Sequence, residues 1–414
     1  MCLRRLAPQQ RSRPIQDAQS VSNGHLWSNS VRDNWKADID LARQWSIIST
    51  MKRSNSSKRP LFVARSIVAA AVVTASAQAC SNRTSTSEDA DQAEMQPVVR
   101  AVFAHDRLWL LHLDGSLVSL DPDDAKPDAV ASNGKLIEIC KSTNRLIAIM
   151  DDGRGAWTLQ QYSPDRWAVR AKLPANGDTL VAMDCADGDI TLVTNRRLLE
   201  VQGGTVHALR LKQELQPPLV NGTALAAKDA VWVGFNIGEW GGGLRRIDRS
   251  DGQVATIERN QSGELCGGPL NTSCDPVNGV ALSPWKPSCV VAAVGLVHMM
   301  AHGRIVEVCG KEVRRLYFKP LDPQPPRGTL DDGEPSSTVA FFGLAHGDHA
   351  LWAIGIDGLY RFTGPQSPEF RPLPKFQNKG GYWVSFDVPG IALVMTGVNQ
   401  RASMSGAVPI MAVR

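Results

Sequence analysis

Residues 230–257, AVWVGFNIGEWGGGLRRIDRSDGQVATI, restrict the possible folds more than any other stretch of the chain. Val231, Val233 and Phe235 alternate with smaller residues, a glycine-rich turn follows, Leu244 and Ile247 carry a second strand, and Asp251-Gly252 turns the chain again. Period-two alternation broken by Asp/Asn-Gly turns is the pattern of an antiparallel meander. Successive strand side chains face opposite sides, and tight hairpins need residues that tolerate positive φ. The order recurs at 350–373, ALWAIGIDGLYRFTGPQSPEFRPL: Trp352 stands where Trp232 stood, Gly358-Leu359 where Gly243-Leu244 stood, and Arg361 near Arg246. A meander with two apolar faces cannot bury both alone, so repetition implies that copies stack against one another.

With the phase set by these two copies, the rest of the chain falls into similar units. The first takes strands at 98–104, 107–112 and 116–120, with Leu108-Trp109 in the place of Val231-Trp232. The second takes 135–140, 146–150, 156–162 and 167–172, and the third 179–184, 190–194, 197–201 and 205–211. The fourth is the opening stretch with 222–226 ahead of it; the fifth takes 279–283, 289–298, 304–309 and 313–318. The sixth takes 338–344, 351–354, 359–362 and 370–373, and the seventh 382–386, 391–396 and 408–413. Seven units of about 45 residues lie within the range for propeller blades. The seventh is a strand short, so either residues around Met95–Val98 supply the missing strand or the unit stays three-stranded. No long stretch carries a 3.6-residue period, which predicts an all-β chain.

The two clearest copies resemble blades of the two-component-regulator type of β-propeller, whose consensus reads roughly Leu-Trp-Val-Gly, a short turn, Gly-Leu, then an Arg and an aromatic before Asp. The resemblance implies a single all-β propeller over 97–414, most simply seven four-stranded antiparallel blades, with six or eight as the alternatives. It also implies a binding or sensory module.

The front of the chain reads differently. From Met51, Lys52, Arg53, Lys58, Arg59 and Arg65 precede an apolar Ala/Val run that ends in Ala77-Gln78-Ala79, the order of a secretory signal peptide over 51–79. Arg65 leaves too few apolar residues for a membrane span. Two cleavage modes compete: plain processing after Ala79, or lipoprotein processing with lipid added to Cys80. Residues 80–96 are polar and acidic and read as a tether. Residues 1–50 read either as an upstream extension that is not made in the cell or as a disordered cytoplasmic arm, and in both cases stand outside the fold. Export, to the periplasm or to an anchored place in the envelope, is the expected destination.

Export makes cysteine pairing plausible. Cys289 and Cys309 oppose each other across one hairpin of the fifth unit, Cys266 and Cys274 close a short Gly/Pro/Asn loop, and Cys140 and Cys185 end the inner strands of adjacent units at matching phase. The other reading of all six is free buried thiols. Metal binding would need Cys/His clustering, and the spacing shows none.

Net charge is only +4, so no nucleic-acid partner is expected. GxSxG, HExxH, Walker and EF-hand patterns are absent from the sequence, as are quinoprotein signatures, so no cofactor is implied. The strongest candidate for binding is the loop from Asn236 to Gly243. Glu239 and Trp240 offer a carboxylate and an aromatic surface there, with Arg245 behind them and His298 on a long strand of the fifth unit. The competing reading folds Trp240 back onto the blade edge and pairs Glu239 with Arg245 or Arg246. His346 and His349 are further titratable candidates. Two function classes follow: a monomeric module that binds a small molecule or a protein, and a lyase or hydrolase that pairs Glu239 with a histidine across the opening.

Overall fold

A computed structural model describes residues 98–414 apart from short internal stretches, chiefly 217–221, 260–267, 322–336, 374–381 and 397–409. All of these belong to the second of the chain's two units, Val63–Arg414. The readings for 1–50, the signal peptide, Cys80 and the tether lie outside the described residues, as do Cys266 and Met95.

Seven antiparallel sheets follow in chain order. Blade one comprises β1 Val98–Ala104, β2 Arg107–His112, β3 Leu117–Asp121 and β4 Asp124–Val130. Blade two comprises β5 Lys135–Ser142, β6 Arg145–Asp151, β7 Trp157–Ser163 and β8 Arg166–Leu173. Blade three comprises β9 Leu180–Ala186, β10 Asp189–Thr194, β11 Arg197–Gln202 and β12 Thr205–Arg210. Blade four comprises β13 Thr223–Ala226, β14 Ala230–Asn236, β15 Gly242–Asp248 and β16 Val254–Ile257. Blade five comprises β17 Val277–Leu282, β18 Cys289–His298, β19 Met300–Cys309 and β20 Glu312–Tyr317. Blade six comprises β21 Phe341–Gly347, β22 Ala350–Gly355, β23 Gly358–Phe362 and β24 Glu369–Pro372. Blade seven comprises β25 Tyr382–Ser385, β26 Ile391–Thr396 and β27 Ile410–Val413.

The first strands of successive blades touch in the order β1, β5, β9, β13, β17, β21, β25, and β25 touches β1. The chain is a seven-bladed β-propeller. Its core lies between blades. Val102, Trp109, Leu111 and Leu117 of blade one pack on Leu136, Ile139, Leu146 and Met150 of blade two, and similar clusters join each later pair through blade seven. Trp109, Trp232 and Trp352 are each the third residue of their second strand, and Trp232 and Trp352 lie opposite Arg246 and Arg361. The buried Trp109 indole donates to the Ala104 carbonyl at 2.9 Å, which satisfies its one polar atom.

Some boundaries differ from the sequence reading. Blade one has a fourth strand, β4, which its Pro- and Asp-rich sequence concealed. β19 starts at Met300 rather than at 304, because β18 and β19 pair beyond the limits of their sheet neighbours. β21 starts at Phe341 rather than at 338; Thr338 makes an isolated bridge to Pro320, and His346 lies on the strand. Val98 pairs with His112 inside blade one, so it does not complete blade seven.

A bulge recurs near the start of the first strand in blades one, two, three, five and six, leaving Val99, Ile137, Val181, Asn278 and Phe342 unopposed. Such bulges add twist and re-aim side chains. Four of the five bulged residues are apolar. Asn278 is the exception, and it points to the site.

Candidate functional site

Second-to-third strand turns and fourth-to-first connections lie on one face of the ring. On that face the turn after β14 is built from Asn236 upward. Its Oδ1 accepts from the Gly238 amide at 2.8 Å, and its Nδ2 donates to Asn278 Oδ1 at 2.6 Å. Asn278 Nδ2 then donates to the Gly295 and Phe341 carbonyls, each at 2.8 Å. Two asparagines thus tie blades four, five and six together at the rim.

Gly238–Trp240 forms a short 3-10 turn, closed by Ile237 N to Gly241 O at 2.8 Å and Gly241 N to Gly238 O at 3.1 Å. Gly242 N donates to Thr272 O at 2.9 Å and Gly243 N to Asp275 O at 2.8 Å. Gly241 has φ 75°, and a Cβ there would lie 2.3 Å from the Thr272 oxygen, so only glycine lets the turn press on the 270–275 connection. The glycine run is therefore a waist that fixes the turn.

Trp240 is 74% exposed on this fixed turn, with Ile237 beside it at 36%. This exposure removes the reading in which Trp240 folds back on the blade. Glu239 is exposed next to it. Arg246 pairs with Asp248 at 3.2 Å, and Arg245 donates to the Gly242 and Leu244 carbonyls at 3.2 and 3.3 Å. Burial lowers the Arg245 pKa from its usual value, with Glu258 the opposing charge. The 3-10 turn touches β18, the strand that carries His298, whose side chain lies outside the described residues. The structure therefore brings the Asn236, Glu239, Trp240 and Arg245 segment and the His298 strand to one rim. His346 and His349 lie toward the first-to-second turn of blade six, at the opposite face; His349 has φ 58°.

The sequence reading missed a buried cluster beneath this rim. Arg304 on β19 donates through Nε to Pro269 O at 2.7 Å and through Nη2 to Gly268 O at 3.2 Å and Asp275 Oδ2 at 2.5 Å. Its Nη1 lies 3.2 Å from His302 Nε2. A guanidinium only donates, so Nε2 is the acceptor and the imidazole proton sits on Nδ1. Burial first, and Arg304 second, lower the His302 pKa to about 4. Burial raises Asp275 despite Arg304. Asp275 Oδ1 and Thr272 Oγ1 are buried and have no hydrogen-bond partner among the described residues. Arg304 and Asp275 are far apart in sequence, and only the bulge anomaly at Asn278 signalled this sector.

Lower in blade five, Cys289 and Cys309 are disulfide-bonded across a directly opposed pair, Cα to Cα 4.4 Å. Glu307 beside them is fully buried and accepts from Arg314 Nε at 2.7 Å, Trp285 Nε1 at 2.9 Å and Lys286 Nζ at 3.3 Å. Cys289, Glu307 and Cys309 offer ligand atoms within 4.8 Å of one another. With the thiols joined and the carboxylate held by two cations, the group is a structural knot. Cys140 and Cys185 form a second disulfide that links blades two and three, and Cys274 is also disulfide-bonded.

No protein-family model matches the chain, and no curated protein matches it. Among solved structures it is similar to the extracellular domain of a hybrid two-component system from B. thetaiotaomicron, at 15% identity and TM-score 0.46 over 73% of this chain and 37% of that one. The chain thus spans little more than a third of that domain's length. It is also similar to an oligogalacturonate lyase in complex with manganese, at 13% identity and TM-score 0.48 over 77% of this chain and 89% of that one. A third is BamB from Moraxella catarrhalis, at 11% identity and TM-score 0.38 over 76% of this chain and 82% of that one. These likenesses are of fold alone. The disulfides fit an oxidising compartment, and no helix among the described residues is long and apolar enough to cross a membrane.

Proposed function

We propose that this propeller is an exported binding module whose docking face is the rim of blades four and five, with Trp240 as its anchor. One observation carries the reading: a largely exposed indole stands on a turn fixed by hydrogen bonds and three consecutive glycines. An exposed Trp is common at recognition sites and uncommon elsewhere, and a fixed anchor loses little conformational entropy on binding. The Glu239 carboxylate beside it supplies polar selectivity, and His298 and Arg245 flank the same rim. A photoreactive phenylalanine analogue at position 240 of the exported protein, with one at exposed Val169 on β8 as control, tests the proposal. Discrete adducts from 240 and none from 169 are expected. The same pattern from both positions, or none from 240, removes Trp240 as the anchor.

A further inference from the structure

Two amides dock the turn that carries Trp240, Gly242 N on Thr272 O and Gly243 N on Asp275 O. The turn keeps its place only while the 268–275 connection keeps its own. That connection is folded on Asp275. Its Oδ2 accepts from the Asn271 amide at 2.6 Å and from Arg304 Nη2, while the Asp275 and Cys274 amides donate to Asn271 O at 2.9 and 3.2 Å. Arg304 on β19 also holds the start of the connection, through the Gly268 and Pro269 carbonyls. Closure leaves Asp275 Oδ1 and Thr272 Oγ1 dry and, among the described residues, without a hydrogen bond, so release that lets water reach them offsets part of its own cost.

Arg304 in turn rests on His302. A guanidinium has no lone pair to offer, so the 3.2 Å contact between its Nη1 and His302 Nε2 exists only while that nitrogen is unprotonated. A proton there sets two donors and two positive charges face to face, and Arg304 is only 6% exposed, so little water screens them. Asp275 is the buried anion of the cluster, and Arg304 and the Asn271 amide already hold it. Blade four brings Glu258, exposed, to the outer side of the connection, where it accepts from the Thr272 amide at 3.4 Å and opposes Arg245. β18 sets Leu296 opposite His302, with His298 two pairs further along the hairpin. From the remaining side come the uncharged Ser337 and Thr338, bonded to Ala301 and Gly303.

We infer, on the reading of this rim as the docking face, that His302 is a proton-operated latch on the Trp240 turn, closed while the imidazole is neutral and released when Nε2 takes a proton. Release passes along named bonds: from His302 to Arg304, from Arg304 to Asp275 and residues 268–269, and from the Thr272 and Asp275 carbonyls to Gly242 and Gly243. The indole then loses its fixed mount, and docking weakens as pH falls. Burial, with Arg304 adding to it, holds the folded His302 pKa at about 4 against the usual 6.5, so the latch is closed at neutral pH and opens as the pH falls toward 4.

Hydrogen exchange at the Gly242 and Gly243 amides of the full exported chain, expressed as protection factors at about pH 6.5 and about pH 4, tests the latch. Proton linkage across that interval predicts that the parent loses protection by at least about tenfold. His302→Gln keeps an acceptor for Arg304 and takes up no proton, so its two amides should hold their protection within about twofold. Amides of β10 and β11 in blade three are the control and should hold theirs in both proteins. No loss in the parent, an equal loss in His302→Gln, or a matching loss in blade three would overturn the inference. The photoreactive probe at position 240 separates the latch from the docking reading. Adducts at the higher pH that fade at the lower support both, and equal adducts at the two would overturn the latch as a control of docking. No adducts at the higher pH, with the loss of protection intact, would remove the docking reading and leave the latch.

Discussion

Blade five and blade seven belong to one repeat, yet they are built to different strengths. Blade five has the longest second and third strands, β18 and β19, a disulfide across them, and the ties of Asn278, Arg304 and Glu307 to neighbouring segments. Blade seven has a short first strand and three strands in all among the described residues. Its junction with blade one rests on smaller devices: Arg100 lies 3.9 Å over the Trp383 ring, held there by a bidentate pair at 2.6 and 2.8 Å with Glu138 on β5 of blade two. Burial raises the pKa of Asp387 in the same junction, with Ser385 and the cations Arg100, Lys141 and Arg414 opposing the shift. In a ring every blade has two neighbours, so the weakest junction sets where opening starts, while the best-braced sector can hold a fixed binding surface.

The largest effect expected from breaking this contrast is at Arg304. Arg304→Met strands the buried Asp275 carboxylate and should cost about 3–5 kcal/mol in chemical denaturation, more than any substitution in blade seven. Removing the disulfide with Cys289→Ser and Cys309→Ser should cost at most about 3 kcal/mol, since the loop it closes is short and the hairpin already holds its ends. That double variant should loosen blade five and leave the ring closed, read as faster exchange confined to β18 and β19.

Acidification separates the two sectors differently. His302 has a folded pKa of about 4 against 6.5 when unfolded, so the unfolded chain binds the extra proton and stability falls as pH drops from about 6.5 to about 4. The loss should be about 2–3 kcal/mol for this partly buried ring. Asp275 and Asp387, both raised, act in the opposite sense and gain stability as pH falls through their raised values. The slope difference between parent and His302→Gln therefore isolates the histidine. In blade seven's junction, Arg100→Met should cost about 2 kcal/mol by leaving Glu138 buried and Trp383 unstacked. Trp240→Ala should change stability by less than about 0.5 kcal/mol, because the indole is exposed, while removing binding.

The sequence revealed the repeat because turn chemistry and alternation are local: Asp251-Gly252, the Trp strands and the opposed Cys289 and Cys309 all express their roles within one hairpin. It concealed β4, whose outer position needs no apolar alternation, and the Arg304–Asp275–His302 cluster, which exists only once a connection folds back on a strand. Glu239 and Trp240 stood out as residue types in a long turn, but whether Trp240 faced out or in depended on Gly241 and Gly243 meeting Thr272, a contact with the connection that leads to blade five. Asn278 could have been found by aligning the units, since it is polar where four of them carry Val, Ile or Phe.

The most direct test of this uneven ring is native-state hydrogen exchange followed strand by strand across increasing denaturant. Amides of β18 and β19 should exchange only through global unfolding, and those of β25, β26 and β27 through an opening of lower free energy that leaves blade five intact. Exchange of blade seven on the same isotherm as blade five, or opening of blade five first, would contradict the account.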